Sequence, residues 1–189
     1  MRKRGILSVL MIPLLLLAGC GEREAKLEKS FGSFRESVIA ASEISLRADI
    51  TADYGESVEH YVVAASYDGS ETALEVLEPA LIGGVRVTAR WGETELAYGD
   101  VLLGMGPLDE DGDTPVSAVP VMLEAMAGGH VELLWWDGDH IAARIYTGES
   151  SRCTVWLDAG SLTPVHAEIA ADGRTVVSCE LTDWTMAGG

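Results

Sequence analysis

Histidine, cysteine and carboxylate side chains are the groups of this chain that could hydrolyse a bond or hold a metal ion. The four histidines are scattered along the sequence, at His60, His130, His140 and His166. A zinc hydrolase needs two histidines one helical turn apart beside a glutamate, and no HExxH motif occurs. The chain also lacks the GxSxG turn of serine hydrolases and the GxxxxGKS/T loop of nucleotide-binding proteins. We therefore expect no catalytic residues and no cofactor.

An acidic stretch, DEDGD at residues 109–113, offers the carboxylates that calcium prefers. An EF-hand loop requires carboxylates at its first, third and fifth positions and glycine at its sixth, whereas here the glycine comes fourth. Carboxylates are also favourable in a solvated turn before the positive N-terminus of a helix. We interpret the stretch as such a turn and predict no metal site.

The net charge excludes another class of partner. The 189 residues include 13 Lys+Arg and 30 Asp+Glu, which gives a formal net charge of -17 at pH 7. Such a chain repels phosphate backbones, so nucleic-acid binding is not expected. Hydrophobic residues make up 48% of the chain, which is enough for the core of one ordinary domain without disulfides or metals.

The first twenty residues indicate where the protein is located. Residues 2–4 are basic, and residues 6–19 then form an uncharged, mostly apolar run. A membrane-spanning helix needs about 20 apolar residues, so this shorter run is typical of a secretory signal. It ends in LAGC at residues 17–20, which resembles the lipobox of bacterial lipoproteins.

The lipobox resemblance implies cleavage before Cys20 and lipid modification of its thiol. We therefore expect a lipoprotein signal peptide over residues 1–19 and a single domain over residues 20–189. The lipid would hold this domain at the extracytoplasmic face of the cell membrane, because two or more acyl chains anchor a protein stably without a transmembrane helix. An ordinary signal peptide followed by an incidental cysteine is the alternative.

Hydrophobic spacing predicts a helix directly after Cys20. From Glu22 to about Ala41, a stripe of apolar residues is spaced by four, three and four positions, with charges between them. This spacing is typical of one face of an amphipathic helix. The stripe consists of Leu27, Phe31, Phe34 and Val38. We expect it to dock the helix on the rest of the domain.

Beyond residue 42 the hydrophobic period changes to two. Apolar residues occupy every even position of 44–52, which predicts a half-buried strand. Further strands are predicted at 58–67, 72–78, 85–91, 93–98, 130–136, 140–147, 152–158, 165–171 and 175–184. Asp-Gly pairs between several of them are typical of hairpin turns. The pattern therefore predicts a long antiparallel meander.

One insertion interrupts the meander. We expect a loop over residues 104–114 and then a helix over residues 115–127, whose apolar side chains lie at helical spacing. Proline is tolerated only in the first turn of a helix, so Pro120 predicts that the regular helix begins near Ala118 or Val119.

These elements together resemble the LolA/LolB-like family of periplasmic lipoprotein carriers and their Gram-positive lipoprotein relatives. The resemblance rests on the Phe-rich helix, the strand at 44–52, the turn PALIGG, and the closing segments TVWLD, PVHAEIA and DGRTVVSCELTDW. It implies an α+β fold, in which a long antiparallel meander is curled into an incomplete β-barrel. The N-terminal helix and the helical insertion would pack on its concave face. The lipobox favours a tethered receiver or sensor over a freely shuttling carrier.

The same resemblance implies that the concave face of the sheet binds a hydrophobic ligand, such as an acyl chain or a lipoprotein segment. The candidate residues on the sheet are Leu46, Val87, Trp91, Ile145, Val155 and Ile169, and those on the inserted helix are Met122 and Met126. Methionine is flexible enough to line a variable pocket. The alternative is that these side chains fill a closed core, as alternating apolar residues do in any sheet protein.

A protein-interaction role is the alternative function. Lipoproteins of this family in spore-forming bacteria act as partners of cell-wall amidases, and envelope-stress regulators use the fold as a sensor domain. An envelope protein could then bind by strand addition at the open edge of the incomplete barrel.

Trp135 and Trp136 are neighbours on a predicted strand. Neighbouring side chains of a strand face opposite sides of the sheet. We therefore expect one indole to enter the core and the other to meet solvent, a helix or a partner.

Cys153 and Cys179 raise the question of a disulfide in an exported chain. Matching the apolar faces of the last three strands requires a three-residue turn around Asp172-Gly173. The same matching places both thiols on the apolar side of the sheet, with a whole strand between them. Their separation is then about 12 Å, beyond the roughly 7 Å that a disulfide can bridge. We predict two buried free thiols.

Overall fold

Residues 6–90, 93–107 and 112–188 are described by the computed structural model, with side chains from residue 21 onward. Its helices are α1 (Ile6–Ala40) and α2 (Pro115–Gly128). The strands before α2 are β1 (Glu43–Asp53), β2 (Val58–Tyr67), β3 (Glu71–Glu78), β4 (Arg86–Arg90), β5 (Glu93–Tyr98) and β6 (Val101–Gly106). The strands after α2 are β7 (Val131–Asp137), β8 (His140–Tyr146), β9 (Ser151–Asp158), β10 (Pro164–Ala171) and β11 (Arg174–Ala187).

These strands form one antiparallel sheet in the order β6-β5-β4-β3-β2-β1-β11-β10-β9-β8-β7. No pairing joins the edge strands β6 and β7 within the described ranges, so the sheet is not closed. In β1 the alternate side chains from Ile44 to Ala52 are buried, because successive residues of a strand face opposite sides. The predicted α+β fold with an incomplete barrel is confirmed.

Helix α1 packs on the concave face of the sheet through the stripe predicted from the sequence. Leu27, Phe31, Phe34 and Val38 are each at most 5% exposed. The ring centroids of Phe31 and Phe34 lie 6.0 Å apart, and the ring of Phe34 lies 6.4 Å from that of Trp184 on β11. The helix begins at Ile6, well before the predicted start, so position 20 and the docked stripe lie on one continuous helix.

A membrane-spanning helix would have to be long and apolar, and the helices of the described residues are α1 and α2. Within the described residues, neither helix combines the length and the hydropathy that crossing a membrane requires.

Helix α2 begins at Pro115, three residues before the earliest start that Pro120 predicted. Thr114 caps it: the Thr114 hydroxyl accepts a hydrogen bond from the Ser117 N–H at 3.2 Å, and the Ser117 hydroxyl accepts one from the Thr114 N–H at 3.2 Å. Pro120 cannot donate one helical hydrogen bond. The predicted start was wrong because this capping box and the burial of the helix stabilise the turn before Pro120.

Strand β6 occupies part of the predicted loop at 104–114. It begins at Val101 and pairs with β5, so that Leu103 lies opposite Leu96. All six of its residues are exposed. Periodicity did not reveal this strand because VLLGMG has no polar alternation and contains two glycines. The rest of the predicted loop includes residues 108–111, which lie outside the described residues.

Cys153 and Cys179 are free and buried, as predicted. Strand β10 lies between them, with Ile169 opposite Cys153 and Ala167 opposite Cys179. This is the register that the apolar faces predicted.

The turn between β10 and β11 has two residues rather than the predicted three. Ala171 lies opposite Arg174, and the φ angles of Asp172 and Gly173 are 52° and 77°. Two positive φ angles are typical of the tight turns of hairpins. The three-residue turn was wrong because a register shift after Ile169 keeps the apolar faces matched instead.

Candidate functional site

The residues predicted to bind a ligand lie in the hydrophobic core. The seven that the structure describes are at most 4% exposed and belong to one cluster: Leu46, Val87, Met122, Met126, Ile145, Val155 and Ile169. Trp91 lies outside the described residues, and so does the side chain of Cys20. In this arrangement the seven side chains are buried in the core, and two of them, Leu46 and Val87, also line a second groove on strands β1 to β4. A ligand would have to displace them or bind beside them.

A groove of about 660 Å³ lies beside this core. One wall comes from α2, through Pro120, Val121, Glu124, Ala125, Ala127 and Gly128. The facing wall comes from the β2–β3 hairpin, β4 and the end of β6, through Tyr67, Ser70, Thr72, Ala89, Arg90 and Pro107. Gly129, Tyr146 and Thr147 also line the groove. None of the seven core residues does.

A row of paired residues runs across the sheet at this groove. Tyr67 lies opposite Thr72, Thr72 opposite Ala89, and Ala89 opposite Thr94. The two threonines are each 4% exposed. The hydroxyl of Thr94 has no hydrogen-bond partner within the described part of the chain. Tyr67, Thr72 and Ala89 of this row line the groove, and Thr94 lies next to Ala89.

The charged groups of the groove do not favour an anionic ligand. Arg90, its only cation among the described lining residues, forms an ion pair with Glu71. Burial raises the pKa of Tyr67, and the negative charges of Glu124 and Asp68 raise it further. A ligand carboxylate or phosphate inside the groove would meet the same negative charges. The groove is therefore suited to a neutral, mainly apolar ligand.

Arg35 on α1 positions the end of α2 beside the groove. Its Nη2 donates hydrogen bonds to the carbonyl oxygens of Ala125, at 3.1 Å, and Gly129. The guanidinium lies 5.1 Å from the centroid of the Phe31 ring, and burial lowers the pKa of Arg35. A cation is favourable at the C-terminus of a helix, where carbonyl groups lack helical partners. Arg35 therefore links the two helices.

A second, shallower groove of about 500 Å³ crosses strands β1 to β4. Its lining includes Arg47, Arg86 and Glu75, and the last two form an ion pair with an Nε to Oε2 distance of 3.3 Å. Small residues such as Ala64 and Ala73 leave the space between these charges. This groove has more charged lining residues than the first, and it also has apolar ones, Leu74 and Leu77 among them.

The described residues contain no group of three or more histidine, cysteine or carboxylate side chains that could hold a metal ion. His60 contacts the hydroxyl of Thr51 at 3.1 Å. His166 lies 3.0 Å from Glu180 and 3.5 Å from Glu168, on the other side of the central strand pair. Most of the acidic stretch at 109–113 lies outside the described residues.

The lining of the groove was not predicted from the sequence. Much of it comes from turns and from the end of a helix, where no period marks which side chains face a cavity. One signal was available in the sequence, because small side chains leave space beside a helix. Four of the five residues at 125–129 are alanine or glycine: Ala125, Ala127, Gly128 and Gly129.

Comparisons with known proteins support the fold. No protein-family model matches the chain, and no curated protein does. A LolA superfamily protein from Nitrosomonas europaea superposes with a TM-score of 0.51 at 10% identity, over 84% of this chain and 94% of that one. An uncharacterized conserved protein from Thermus thermophilus superposes with a TM-score of 0.50 at 8% identity, over 86% and 88%. The predicted LolA-like fold is therefore confirmed.

Proposed function

We propose that this chain is a membrane-anchored extracytoplasmic lipoprotein that binds an acyl chain, or a similarly apolar segment, in its half-barrel. In this proposal residues 1–19 are a signal peptide, residues 20–189 form the domain, and Cys20 carries the lipid. The LAGC segment supports the anchor, and the LolA-like fold supports an apolar ligand. The ligand site is the groove beside α2, next to the core residues predicted from the sequence.

The groove itself is the observation that carries this proposal. Its volume of about 660 Å³ falls within the range of small-molecule sites, roughly 300 to 1,000 Å³. Each buried methylene contributes about 0.8 kcal/mol, so about ten methylenes contribute about 8 kcal/mol before the ligand is ordered. The freedom that the ligand loses on binding offsets part of this gain, so a Kd weaker than about one micromolar is expected. Because Glu124 lines the groove, a negatively charged head group of the ligand remains outside.

Binding of a fluorescent twelve-carbon fatty acid and of its neutral methyl ester tests the proposal. Ala127→Trp fills the groove from α2, and we expect it to weaken binding at least tenfold. Ala64→Trp is the matched control, because Ala64 lines the other groove. We expect it to change the Kd less than twofold. Ser70→Trp, on the opposite wall, provides a second blocking variant if Ala127→Trp does not fold.

One outcome would contradict this function, and another would contradict its site. Absence of binding by the unaltered protein would exclude the acyl ligand. Loss of binding in Ala64→Trp, with Ala127→Trp unaffected, would move the site to the other groove. We expect the ester to bind at least as tightly as the acid, because the groove offers no unpaired cation among its described residues.

Strand β6 favours a second candidate function, the binding of an envelope protein by strand addition. The strand lies at an open edge of the sheet. Its large apolar side chains are each more than half exposed: Val101, Leu102, Leu103 and Met105. An exposed apolar edge is a template for another strand. Crosslinking in the native host tests this role. Leu103→Lys should abolish a one-to-one complex with an envelope protein, whereas Leu133→Lys, on the other edge, should leave it intact.

A further inference from the structure

Three side chains near the start of the docked helix form a cluster, which we call the anchor patch: Arg23 and Lys26 on α1, and Trp136 at the end of β7. The indole Nε1 of Trp136 donates a long hydrogen bond of 3.5 Å to the carbonyl oxygen of Arg23. The Arg23 guanidinium lies 5.9 Å and the Lys26 ammonium 5.8 Å from the centroid of the indole ring. These contacts join the end of β7 to the first turns of α1 after position 20.

The patch lies close to Cys20 along the helix axis. Arg23 is three residues beyond Cys20 on the same helix, which corresponds to about 4.5 Å along the axis. Leu27, one turn further, is already buried in the core at 5% exposure. The helix therefore docks on the domain within two turns of position 20. A lipid on Cys20 would hold the patch itself near the bilayer.

The charge distribution also sets this end of the molecule apart. Residues 21–41 contain four basic and four acidic side chains, whereas residues 42–189 contain 26 acidic side chains and only six arginines. Both lysines after position 20, Lys26 and Lys29, belong to the first segment. Asp137 follows Trp136, but its carboxylate accepts a hydrogen bond of 2.9 Å from the Trp156 indole. The charges of residues 21–41 balance, so this segment repels a negatively charged surface less than the rest of the domain does.

The groove lies towards the other end of α1. Gly129, which lines it, accepts its hydrogen bond from Arg35, and Tyr67 on its facing wall lies opposite Ile44, just after α1 ends. Arg35 is fifteen residues beyond Cys20, or about 22 Å along the helix axis. The anchor patch and the groove are thus separated by most of the docked helix.

We propose that the anchor patch contacts the phospholipid headgroups of the bilayer, that α1 rises along the bilayer normal, and that the groove is thereby held about 20 Å above the headgroups. Arg23 and Lys26 bind lipid phosphates, and Trp136 lies at the interface, where amphipathic aromatic rings are favoured. This orientation rests on the proposed lipid anchor at Cys20. It implies that the ligand enters from the aqueous side, delivered by a soluble donor, and does not move sideways out of the supporting bilayer.

Fluorescence quenching in vesicles tests the orientation. The lipidated full chain is placed in vesicles of phosphatidylethanolamine and phosphatidylglycerol that contain a headgroup-linked quencher. A dye is attached at Asp139→Cys, in the turn after β7, or at Ser70→Cys, on the groove wall. The two native core thiols are buried and should stay unlabelled in the folded protein. We expect at least threefold stronger quenching at position 139 than at position 70.

A charge reversal tests the role of the patch. Arg23→Glu with Lys26→Glu should lower quenching at position 139 and narrow its difference from position 70, although the lipid still holds Cys20 at the bilayer. Arg86→Glu with Arg174→Glu, which reverses two charges elsewhere, should leave it unchanged. Equal quenching of the two dyes in a chain that floats with vesicles would refute this orientation and leave the anchor intact. A chain that does not float with the vesicles would refute the anchor and the orientation together.

Discussion

Replacement of Arg35 by methionine should weaken the joint between the two helices. The methionine keeps an unbranched apolar stem beside Phe31 but removes every donor. The carbonyl oxygen of Ala125 still accepts a hydrogen bond from the Gly129 N–H at 2.9 Å. The carbonyl oxygen of Gly129 loses the hydrogen bond from the guanidinium. The end of α2 also loses a partly buried positive charge.

The magnitude follows from these two losses. A hydrogen bond to a charged group contributes about 1.5 to 3 kcal/mol, and a cation at a helix C-terminus about 0.3 to 1 kcal/mol. The contributions overlap because both come from one guanidinium, and Arg35 is only half-buried. We therefore expect Arg35→Met to lower the free energy of unfolding by about 2 kcal/mol.

Urea unfolding measured by circular dichroism checks this value. Arg86→Met is the matched control, since Arg86 forms an exposed ion pair with Glu75 and should lose less than about 1 kcal/mol. If Arg35→Met lost no more stability than Arg86→Met, the conclusion that Arg35 stabilises the contact between α1 and α2 would be refuted.

Two further predictions concern the end of α2 and the core thiols. A Cβ at Gly129 would overlap Ile145 and lie 2.9 Å from the Ala125 oxygen, so Gly129→Ala should lower stability by about 1 to 3 kcal/mol. A Cβ at Gly128 would have no atom within 4 Å, so Gly128→Ala should leave the free energy of unfolding unchanged or raise it by up to about 1 kcal/mol. Equal melting temperatures of Gly129→Ala and Gly128→Ala would contradict this. Burial raises the pKa of Cys153 from 9.0 to about 12, so the unfolded chain ionises first and stability should fall from about pH 9 towards pH 12. In urea titrations over this pH range, the free energy of unfolding of Cys153→Ala should fall less steeply with pH, by up to about 1.4 kcal/mol per pH unit. The same slope in both proteins would refute this.

Hydrophobic periodicity in the sequence determined most of the fold. The spacing of Leu27, Phe31, Phe34 and Val38 predicted the face by which α1 docks, and the alternation of residues 44–52 predicted the buried face of β1. Such patterns suffice because a period of 3.6 or 2 residues places side chains on one face whatever the neighbours are. Strand β6 was missed because its exposed apolar residues carry no such period.

The state of the two cysteines was also predictable, even though the turn that supports it was not. Matching apolar faces placed Cys153 and Cys179 on either side of β10, and the structure has that register. The apolar faces of β10 and β11 can be matched in two ways. One is a two-residue turn with a register shift, and the other is a three-residue turn without a shift. The conformations of Asp172 and Gly173 distinguish the two possibilities.

Only the tertiary structure decided where open space remains. The groove is formed by the β2–β3 hairpin, β4, the end of β6 and α2, and its end is held by Arg35, which bonds to residues 90 and 94 positions away. The sequence predicted that Met122 and Val155 line a ligand cavity, with a closed core as the alternative, but not that the open space is lined by Pro120, Glu124 and Ala127 of α2. A cavity is what packing leaves unfilled, so it depends on how far the sheet curls and where the helix comes to lie. Both are set by long-range contacts that no local period encodes.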